Sequence, residues 1–401
     1  MSTVKSTDVK DNFKKYKVIQ KEKTFSTKKE RNSGIELLKI IAIVLIVIFH
    51  VVNTLKTINP YISYSDYVID LSVATTDIWK FILTIFSYLG YLGNSIFFIC
   101  SAWFLLRSSK YNKRKWFFML LEIWFISMFI LVVMLIIRHG DISGKILLKS
   151  ILPTTFAPNW YLTCYLLFYP IHPLLNVVIQ KLDKQHLFRF SAALFVIYGC
   201  FAFIKNDLFF SSTIILWIAI YFVMAYIQLY LKDFADSDKY NFMLLAVGLV
   251  GWFGIAFVAN YLGLHISFFN DKVLRWATNY NPFLIIIAIA LFNLMRKLTF
   301  KNRAINYISS LSLLVYIIHE NVVLRNYCRT ALWNYVYKNY GYSHILLWVF
   351  ALSFIVFMFG LVSSMIYDKT IRTFIRKLAD TLYSIIRNVY LKVEKLLLKA
   401  S

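Results

Sequence analysis

Cysteine and glycine are scarce in this sequence, and acidic residues are few beside basic ones. The four cysteines lie within or at the edge of apolar runs and lack metal-ligand spacing: Cys100, Cys164, Cys200 and Cys328. This distribution argues against a disulfide framework or a zinc site, and it predicts buried thiols. The twelve glycines form no phosphate-binding loop of the Gly-rich type.

The shortage of acidic residues leaves a large positive charge. Asp and Glu number 20 against 44 Lys and Arg, which gives a formal net charge of +24. Such an excess can indicate nucleic-acid binding, but no aromatic-basic RNA-binding module is present. The basic residues instead concentrate in both tails and in alternate short loops, as the positive-inside rule describes. The charge therefore indicates membrane topology, and we exclude a nucleic-acid partner.

Apolar side chains are what the sequence has in abundance. Hydrophobic residues make up 59% of the chain and aromatic residues 18%, and the mean hydropathy is +0.63. These values are far above those of soluble globular domains. The composition predicts a polytopic membrane protein, for which we expect an all-α bundle.

About ten apolar segments are long enough to cross a hydrocarbon core of roughly 30 Å. The predicted transmembrane helices are 35–55, 81–106, 115–137, 159–180, 188–204, 211–231, 241–262, 281–298, 305–324 and 344–367. Cations crowd the second and eighth connections, whereas the first connection carries Asp66, Asp70 and Asp77. Even-numbered connections and both termini are therefore predicted to be cytoplasmic. A polar break at Lys205–Asp207 leaves the helix boundaries near 188–210 open.

Basic segments flank the predicted membrane domain, 35–367. Residues 1–34 are polar and Lys-rich without the apolar core of a signal peptide, which predicts a disordered cytoplasmic tail. Residues 368–401 set apolar side chains at helical spacing among arginines and lysines. That pattern predicts a basic amphipathic helix on the inner leaflet, with contact to another protein as the alternative.

The first predicted span carries ionisable residues on one side. Lys39 and His50 are eleven residues apart, so they lie within about 20° of the same helix face, roughly 16 Å apart along the axis. Glu36 precedes Lys39 by three residues and shares that face. Glu36 and Lys39 could simply mark the helix start at the interface. His50 has no such explanation, and ionisable groups inside a span usually serve function.

Two further predicted spans carry candidate residues at their ends. Arg107 and Lys110 lie at the inner end of the second span, where they could bind the phosphates of a cytoplasmic donor or act only as topology charges. Trp160 and Tyr161 open the fourth span at the outer face, where aromatic residues anchor helices and can also stack on sugars. His172, between Pro170 and Pro173, is interpreted as structural.

The ninth predicted span ends in consecutive polar residues, His319-Glu320-Asn321, with Arg325 close behind. Anchoring in the membrane does not require such a group. His319 offers a proton acceptor with a carboxylate nearby, although adjacent residues do not face each other on a helix. We favour a functional role over a structural one.

Taken together, these segments resemble the acyltransferase-3 family of integral membrane acyltransferases. The matching elements are Glu36-x-x-Lys39-x10-His50, the end of the second span through Arg107, Trp160-Tyr161-Leu162, and Ser-x-x-x-Tyr316-x-x-His319-Glu320. The resemblance covers 31–367 and agrees with a ten-span layout. It implies an O-acyltransferase that moves an acyl group, acetyl by expectation, from cytoplasmic acyl-CoA to a hydroxyl of an extracytoplasmic polysaccharide or glycan.

The resemblance also implies roles for residues of the first and second predicted spans. His50 matches the essential histidine of the first span, with Glu36 at a usually acidic position. Lys39 stands where the family has arginine, which keeps the charge but loses the planar fork. Arg107 and Lys110 resemble the Arg-x-x-Arg element assigned to acyl-CoA, again with lysine in second place.

From the same resemblance we expect His50 to act as a general base or to carry the acyl group as an acyl-imidazole. Trp160, Tyr161, His319 and Glu320 are expected on the acceptor side. No metal and no bound cofactor is expected, because acetyl-CoA serves as a donor substrate. The expected partners are membrane lipid, the glycan acceptor, and either a second copy or a polysaccharide-synthesis protein, all at a bacterial plasma membrane.

Two other functions fit many spans with buried polar groups. A transporter or flippase of a lipid-linked glycan is the main alternative, although no convincing internal repeat is present. A membrane sensing or binding module without catalysis is the second alternative, and the lack of a recognisable attached domain argues against it.

Overall fold

The computed structural model describes residues 31–55, 76–156, 159–204, 212–341 and 343–400. Every regular element in these ranges is helical. In chain order the α-helices are α1 (Ser33–Val52), α2 (Asp77–Phe86), α3 (Leu89–Leu105), α4 (Lys113–Ile137), α5 (Gly144–Ile151), α6 (Trp160–Lys181), α7 (Lys184–Phe195), α8 (Ala202–Ile204), α9 (Thr213–Tyr230), α10 (Lys232–Asp236), α11 (Asp238–His265), α12 (Pro282–Arg296), α13 (Arg303–Ser310), α14 (Ser312–His319), α15 (Thr330–Tyr340), α16 (Ile345–Thr370) and α17 (Arg372–Ala400). Two π-helices, Val196–Phe201 and Leu324–Arg329, and one 3₁₀-helix, Ser267–Lys272, complete the set.

Within the described ranges, eight helical segments are long and apolar enough to cross a membrane. They coincide with the predicted spans one to seven and ten, so the helical, multi-pass membrane architecture is confirmed. The predicted eighth span corresponds to α12, which has only 15 residues. The predicted ninth span is two eight-residue helices, α13 and α14. A total of ten spans and the placement of the termini stay predictions.

The break between α13 and α14 has a local cause in the sequence Ser309-Ser310-Leu311-Ser312. The Ser310 hydroxyl donates to the carbonyl of Tyr307 at 2.6 Å, and the Ser309 hydroxyl donates to Glu36 at 2.5 Å. Serine side chains that bond to nearby carbonyls compete with regular helix geometry. The helix therefore restarts at Ser312, and its end at His319 falls deep inside the protein.

Helix α1 lies at the centre of the bundle, in contact with α3, α12, α13, α14 and α16. It packs most closely on α3, where Gly93 allows the two backbones to approach. A Cβ atom on Gly93 would lie 2.6 Å from the carbonyl oxygen of Ala42 and 2.7 Å from a side-chain carbon of Ile46. Small residues at such crossings let membrane helices come together. This packing fixes the helix that carries His50.

The segment after the last span forms helix α17, which packs along α4 through Ile375 and Ala379. Its first residue, Arg372, donates to Glu122 of α4 at 2.9 Å. Burial in an apolar membrane normally excludes a lone carboxylate, so this ion pair ties α17 to the bundle. Its placement on the inner leaflet stays a prediction.

Some predictions concern residues that the structure does not describe, and one is contradicted at the surface of the bundle. The predicted tail 1–34, except for its last four residues, lies outside the described residues, as do Asp66, Asp70 and Lys205–Asp207. Cys100 and Cys164 are buried, Cys200 is half-buried and Cys328 is exposed. The prediction of buried cysteines is therefore confirmed for the first two and wrong for Cys328. Cys328 lies on a π-helix beyond the predicted ninth span, at the surface of the bundle.

Candidate active site

The side chain of His50 is held inside the protein by the last turn of α1. The helix is capped at its start by Asn32, whose side chain accepts hydrogen bonds from the backbone of Gly34 and Ile35. At its other end, Thr54 donates to the carbonyl of His50 at 2.6 Å. His50 is only 4% exposed. The helix thus places an imidazole in the core two residues before its last residue, Val52.

His319 and Glu320 converge on His50 from the end of α14. The Nδ1 atom of His50 lies 3.0 Å from Nε2 of His319 and 3.1 Å from Oε2 of Glu320. Glu320 is 1% exposed and His319 3%. Because α14 ends at His319, Glu320 leaves the helix and both side chains reach the same imidazole. We call these three residues the His–Glu cluster; the structure brings together candidates predicted separately.

The hydrogen bonds of the His–Glu cluster define which nitrogens carry protons. Nδ1 of His319 lies 2.7 Å from the carbonyl oxygen of Val315, which can only accept, so Nδ1 carries the proton and Nε2 accepts. Nδ1 of His50 faces this acceptor and the carboxylate of Glu320, so it must donate. A neutral His50 therefore has its lone pair on Nε2, the nitrogen required of a base or nucleophile.

Two buried arginines complete the surroundings of Glu320. Arg325 donates to Oε1 at 2.7 Å, and Arg329 donates to Oε2 at 3.1 Å and to the carbonyl of His319 at 3.5 Å. Both arginines lie on the π-helix Leu324–Arg329. Arg329 is not among the candidate residues predicted from the sequence. The signal that could have found it is the recurrence of cations five and nine residues after an intramembrane carboxylate.

The His–Glu cluster has the donor types of a metal site, because its three potential ligand atoms lie within 4.8 Å of one another. Its charges argue against a cation there. Each oxygen of Glu320 already accepts from a guanidinium, so a metal ion would meet two positive charges at contact distance. The arrangement suits proton transfer and anion stabilisation better than metal coordination.

A cavity of about 340 Å³ leads from the Glu36 end of α1 toward the His–Glu cluster. Its charged and hydroxyl-bearing serine lining residues are Arg31, Glu36, Lys39, Ser101, Lys115, Ser309, Ser310 and Ser312. Its apolar end is lined by Ile46, Phe97, Tyr161 and Tyr316. Glu36 and Ile46 are ten residues apart, so the cavity follows α1 for about 15 Å. The size is that of a small-ligand pocket.

Lys39 and Glu36 meet at the polar end of this cavity. The Nζ atom of Lys39 lies 3.3 Å from Glu36, whose second oxygen accepts from Ser309. Glu36 is buried and Lys39 is half-buried. The two residues therefore line a cavity as well as marking a helix start, and Lys39 adds to the positive charge supplied by Arg31 and Lys115.

Two tyrosines stand between the cavity and the His–Glu cluster. The ring of Tyr316 lies 6.4 Å from the ring of His50 and 5.7 Å from that of His319, measured between centroids. Tyr161 packs on Tyr316 at 5.8 Å and closes the cavity from α6. Tyr161, predicted on the acceptor side, thus also lines the cavity that contains Lys39. Trp160 is half-buried beside Tyr161.

Arg107 and Lys110 are not among the residues that line this cavity in the described structure. The guanidinium of Arg107 lies over the ring of Trp103 at 4.9 Å, and with its amide oxygen turned inward Gln228 accepts from Arg107 at 2.9 Å. Lys110 is exposed at the same end of the bundle. His172 is fully buried against the carbonyl of Tyr169.

Comparison with known proteins adds one positive finding. A family model described as an acyltransferase domain matches residues 32–367. This range begins at the cap of α1 and ends within α16, so it includes the whole His–Glu cluster and every residue that lines the cavity except Arg31. No curated protein and no solved structure matches the chain.

Proposed function

Because the chain belongs to the acyltransferase-3 family, we propose that it moves an acyl group, acetyl in the simplest case, from cytoplasmic acyl-CoA to a hydroxyl of an extracytoplasmic polysaccharide or glycan. The enzyme would act in a bacterial plasma membrane. The observation that carries the proposal is the His–Glu cluster: His50, oriented by Glu320 and His319, lies just beyond a cavity that enters from the opposite end of α1.

The cavity supports binding of the donor from the predicted cytoplasmic side. Arg31, Lys39 and Lys115 surround its polar end, where they can pair with the phosphates of CoA. The narrow apolar end suits the pantetheine arm, whose thioester would reach the two tyrosines. Arg107 and Lys110 lie at the same end of the bundle and would extend the basic surface to the nucleotide. Access to the His–Glu cluster requires the ring of Tyr161 or Tyr316 to move.

In a direct transfer, His50 acts as a general base through Nε2. The acceptor oxygen forms a bond to the acyl carbonyl carbon while its proton passes to Nε2, and the carbon–sulfur bond breaks. His50 then gives the proton to the CoA sulfur, so the products are an ester and a thiol. Glu320 orients the ring and balances the transient imidazolium charge, as the acidic residue of a catalytic triad does.

In a covalent route, Nε2 itself forms the bond to the carbonyl carbon, the carbon–sulfur bond breaks and CoA leaves as the thiolate. The acceptor oxygen then bonds to the carbon, the bond to Nε2 breaks, and the hydroxyl proton neutralises the thiolate. Burial of His50 would protect the acyl-imidazole from hydrolysis. Rapid denaturation at neutral pH after addition of radiolabelled acetyl-CoA distinguishes the routes, because acid would hydrolyse an acyl-imidazole. Only the covalent route leaves label on protein that vanishes in His50→Ala.

The proposal is tested in the native host by measuring base-labile acyl ester on surface glycans. We compare the intact gene, a deletion, His50→Ala and His265→Ala at equal expression. His265 is an exposed histidine at the end of α11 and serves as the matched control. We expect ester to be lost in the deletion and in His50→Ala, with glycan export unchanged. Unchanged ester together with loss of surface glycan would overturn the proposal in favour of transport.

A further inference from the structure

A groove of about 510 Å³ runs between α4 and α16, and it shares no lining residue with the cavity that contains Lys39. Its lining on α4 extends from Phe125 to Ile137, and α16 contributes Phe359, Ser363 and Ile366. Phe129 and Phe359, one on each helix, are both 53% exposed. Both helices are long and apolar enough to cross a membrane. The groove therefore opens to the hydrocarbon of the bilayer.

The inner wall of this groove is the back of the His–Glu cluster. Ile318, Leu324 and Cys328 line the groove. Each is followed directly in the chain by a residue of the cluster or of its surroundings, namely His319, Arg325 and Arg329. Neighbouring Cα atoms are about 3.8 Å apart. A single thickness of backbone therefore separates the groove from the ion pairs of Glu320.

The shared wall interrupts the regular helices. Helix α14 ends at His319, and a π-helix begins at Leu324. The residues between them pack through Val322 and Val323 against α4, where Leu131 lies six residues, or about 9 Å, before the end of the helix. Irregular backbone at membrane depth is tolerated where it is buried or lines a cavity, and π-helical turns are frequent at functional sites. The wall thus belongs to the site as much as to the groove.

The groove has the length of one hydrocarbon chain in one leaflet. Phe125 and Ile137 are twelve residues apart, which is about 18 Å along α4, and half of a hydrocarbon core is about 15 Å. Ile137 is the last residue of α4 and leads into a connection predicted outside. At the opposite end Ile371 lines the groove, next to the ion pair of Arg372 with Glu122. A chain in the groove would therefore have its polar end at the predicted outer side.

We propose that the acceptor glycan is linked to a lipid, whose hydrocarbon chain lies in the groove between α4 and α16 and holds the sugar at the outer approach to His50. This inference rests on the proposed acyl transfer and names its acceptor class. In the reaction a hydroxyl oxygen of the sugar bonds to the acyl carbon, the carbon–sulfur bond of acyl-CoA breaks, and the hydroxyl proton ends on the CoA sulfur. The lipid is not consumed.

The groove acts by orientation more than by hydrophobic affinity. Lipid tails in the bilayer are as apolar as the groove, so transfer of a chain into it gains van der Waals packing but little hydrophobic free energy. A chain held along α4 instead keeps the attached sugar beside the His–Glu cluster, which raises its effective concentration there. A glycan without lipid has no group that fits the groove.

The purified protein in nanodiscs tests the acceptor class with one glycan in two forms. The first is the lipid-linked glycan extracted from the deletion strain, and the second is the same glycan cleaved from its lipid. We expect transfer of radiolabelled acyl groups from acyl-CoA to be at least about tenfold faster to the lipid-linked form. Equal transfer to both forms would overturn the inference and leave acyl transfer intact. Transfer to neither form, as expected only of His50→Ala, would contradict the proposed acyl transfer itself.

Bulky substitutions on α16 test the groove. Ser363→Trp places a large ring between α4 and α16, and we expect it to lower ester on surface glycans at least about tenfold. Val362→Trp is the matched control, because Val362 is adjacent, 46% exposed and not part of the lining. Equal ester in the two variants would contradict the proposal. Immunoblots and thermal unfolding in detergent confirm equal amounts of folded protein.

Alkylation of Cys328 measures occupancy of the groove without catalysis. Cys328 is exposed and lines the groove, and Cys200→Ser removes the other cysteine that is not buried. We expect the lipid-linked glycan to slow the reaction of Cys328 with N-ethylmaleimide in nanodiscs, and Ser363→Trp to abolish this protection. Equal protection by host phospholipid alone would identify an ordinary membrane lipid as the occupant and overturn the inference.

Discussion

Replacement of Glu320 by glutamine separates the chemistry of the His–Glu cluster from its contribution to stability. Glutamine keeps the size of the side chain and one acceptor oxygen, but it removes the negative charge that pairs with Arg325 and Arg329. Loss of one partner from a buried ion pair typically costs about 3–5 kcal/mol. We therefore expect Glu320→Gln to unfold at a lower temperature in detergent than the unchanged protein.

The effect of Glu320→Gln on turnover follows from the position of Nδ1 of His50. Without the carboxylate at 3.1 Å, the imidazolium of His50 loses its counter-charge, and only neutral acceptors such as Nε2 of His319 remain for the proton on Nδ1. The corresponding change in a catalytic triad lowers turnover by about 10⁴, and an expected loss of 10²–10⁴ corresponds to about 3–5 kcal/mol of barrier. The assay is the rate of CoA thiol release by purified, folded enzyme supplied with acyl-CoA and the native glycan.

Glu122→Gln is the matched control for this experiment. Glu122 is also 1% exposed and also accepts from an arginine, Arg372, but it lies on α4 outside the His–Glu cluster. We expect this variant to lose stability and to keep its turnover. A folded Glu320→Gln enzyme with turnover within threefold of the unchanged protein would refute the assignment of Glu320, as would an equal loss of turnover in Glu122→Gln.

Three further predictions concern the cavity and the helix that lines it. Lys39→Ala should raise the KM for acyl-CoA about tenfold, because one charge-assisted hydrogen bond to a phosphate is lost. Lys39→Arg should keep the KM of the unchanged protein. Steady-state kinetics measures these constants, and an equal KM for all three proteins would contradict the prediction. Tyr161→Ala should increase the hydrolysis of acyl-CoA in the absence of acceptor, because water would enter beside Tyr316, whereas Tyr161→Phe should not. Release of CoA thiol without glycan measures this hydrolysis. Equal hydrolysis by the two variants would contradict the proposal that the ring of Tyr161 excludes water. Gly93→Ala should destabilise the protein by about 1–3 kcal/mol, because the added Cβ would overlap the carbonyl oxygen of Ala42. Gly254→Ala should not destabilise it, because a Cβ there meets no atom within 4 Å. Thermal unfolding in detergent compares the two variants, and equal shifts of the unfolding temperature would exclude steric overlap as the cause.

The long apolar helices could be predicted from the sequence, because a span needs about 20 predominantly apolar residues. Each of the eight long helical segments contains such a run. The sequence also made His50 a candidate, since an imidazole near the end of a span is not required for anchoring in the membrane, and its role stays a prediction. The ninth span was harder. A continuous helix from 305 to 324 would point His319 and Glu320 in different directions, and the serine-rich break before Ser312 is a local effect that hydropathy does not show.

Convergence of groups from distant segments could not be predicted from spacing. His50 and His319 are separated by 269 residues, and their 3.0 Å contact depends on how α14 packs against α1. Arg329 was not predicted for the same reason. It follows the predicted ninth span, in a segment whose sequence is typical of an outer connection. Roles in donor and acceptor binding, as for Arg107 and Trp160, stay predictions because they depend on ligands.

The contact between Tyr161 and Tyr316 also bears on the electrical integrity of the membrane. A water-filled path from the polar end of the cavity through His50 to the opposite surface would conduct protons or ions. Each elementary charge that crosses releases about 2.3 kcal/mol per 100 mV of membrane potential. Packed aromatic rings at the end of the cavity interrupt such a path at rest. In the proposed reaction, an acyl group would therefore pass from one compartment to the other without opening a path for protons or ions.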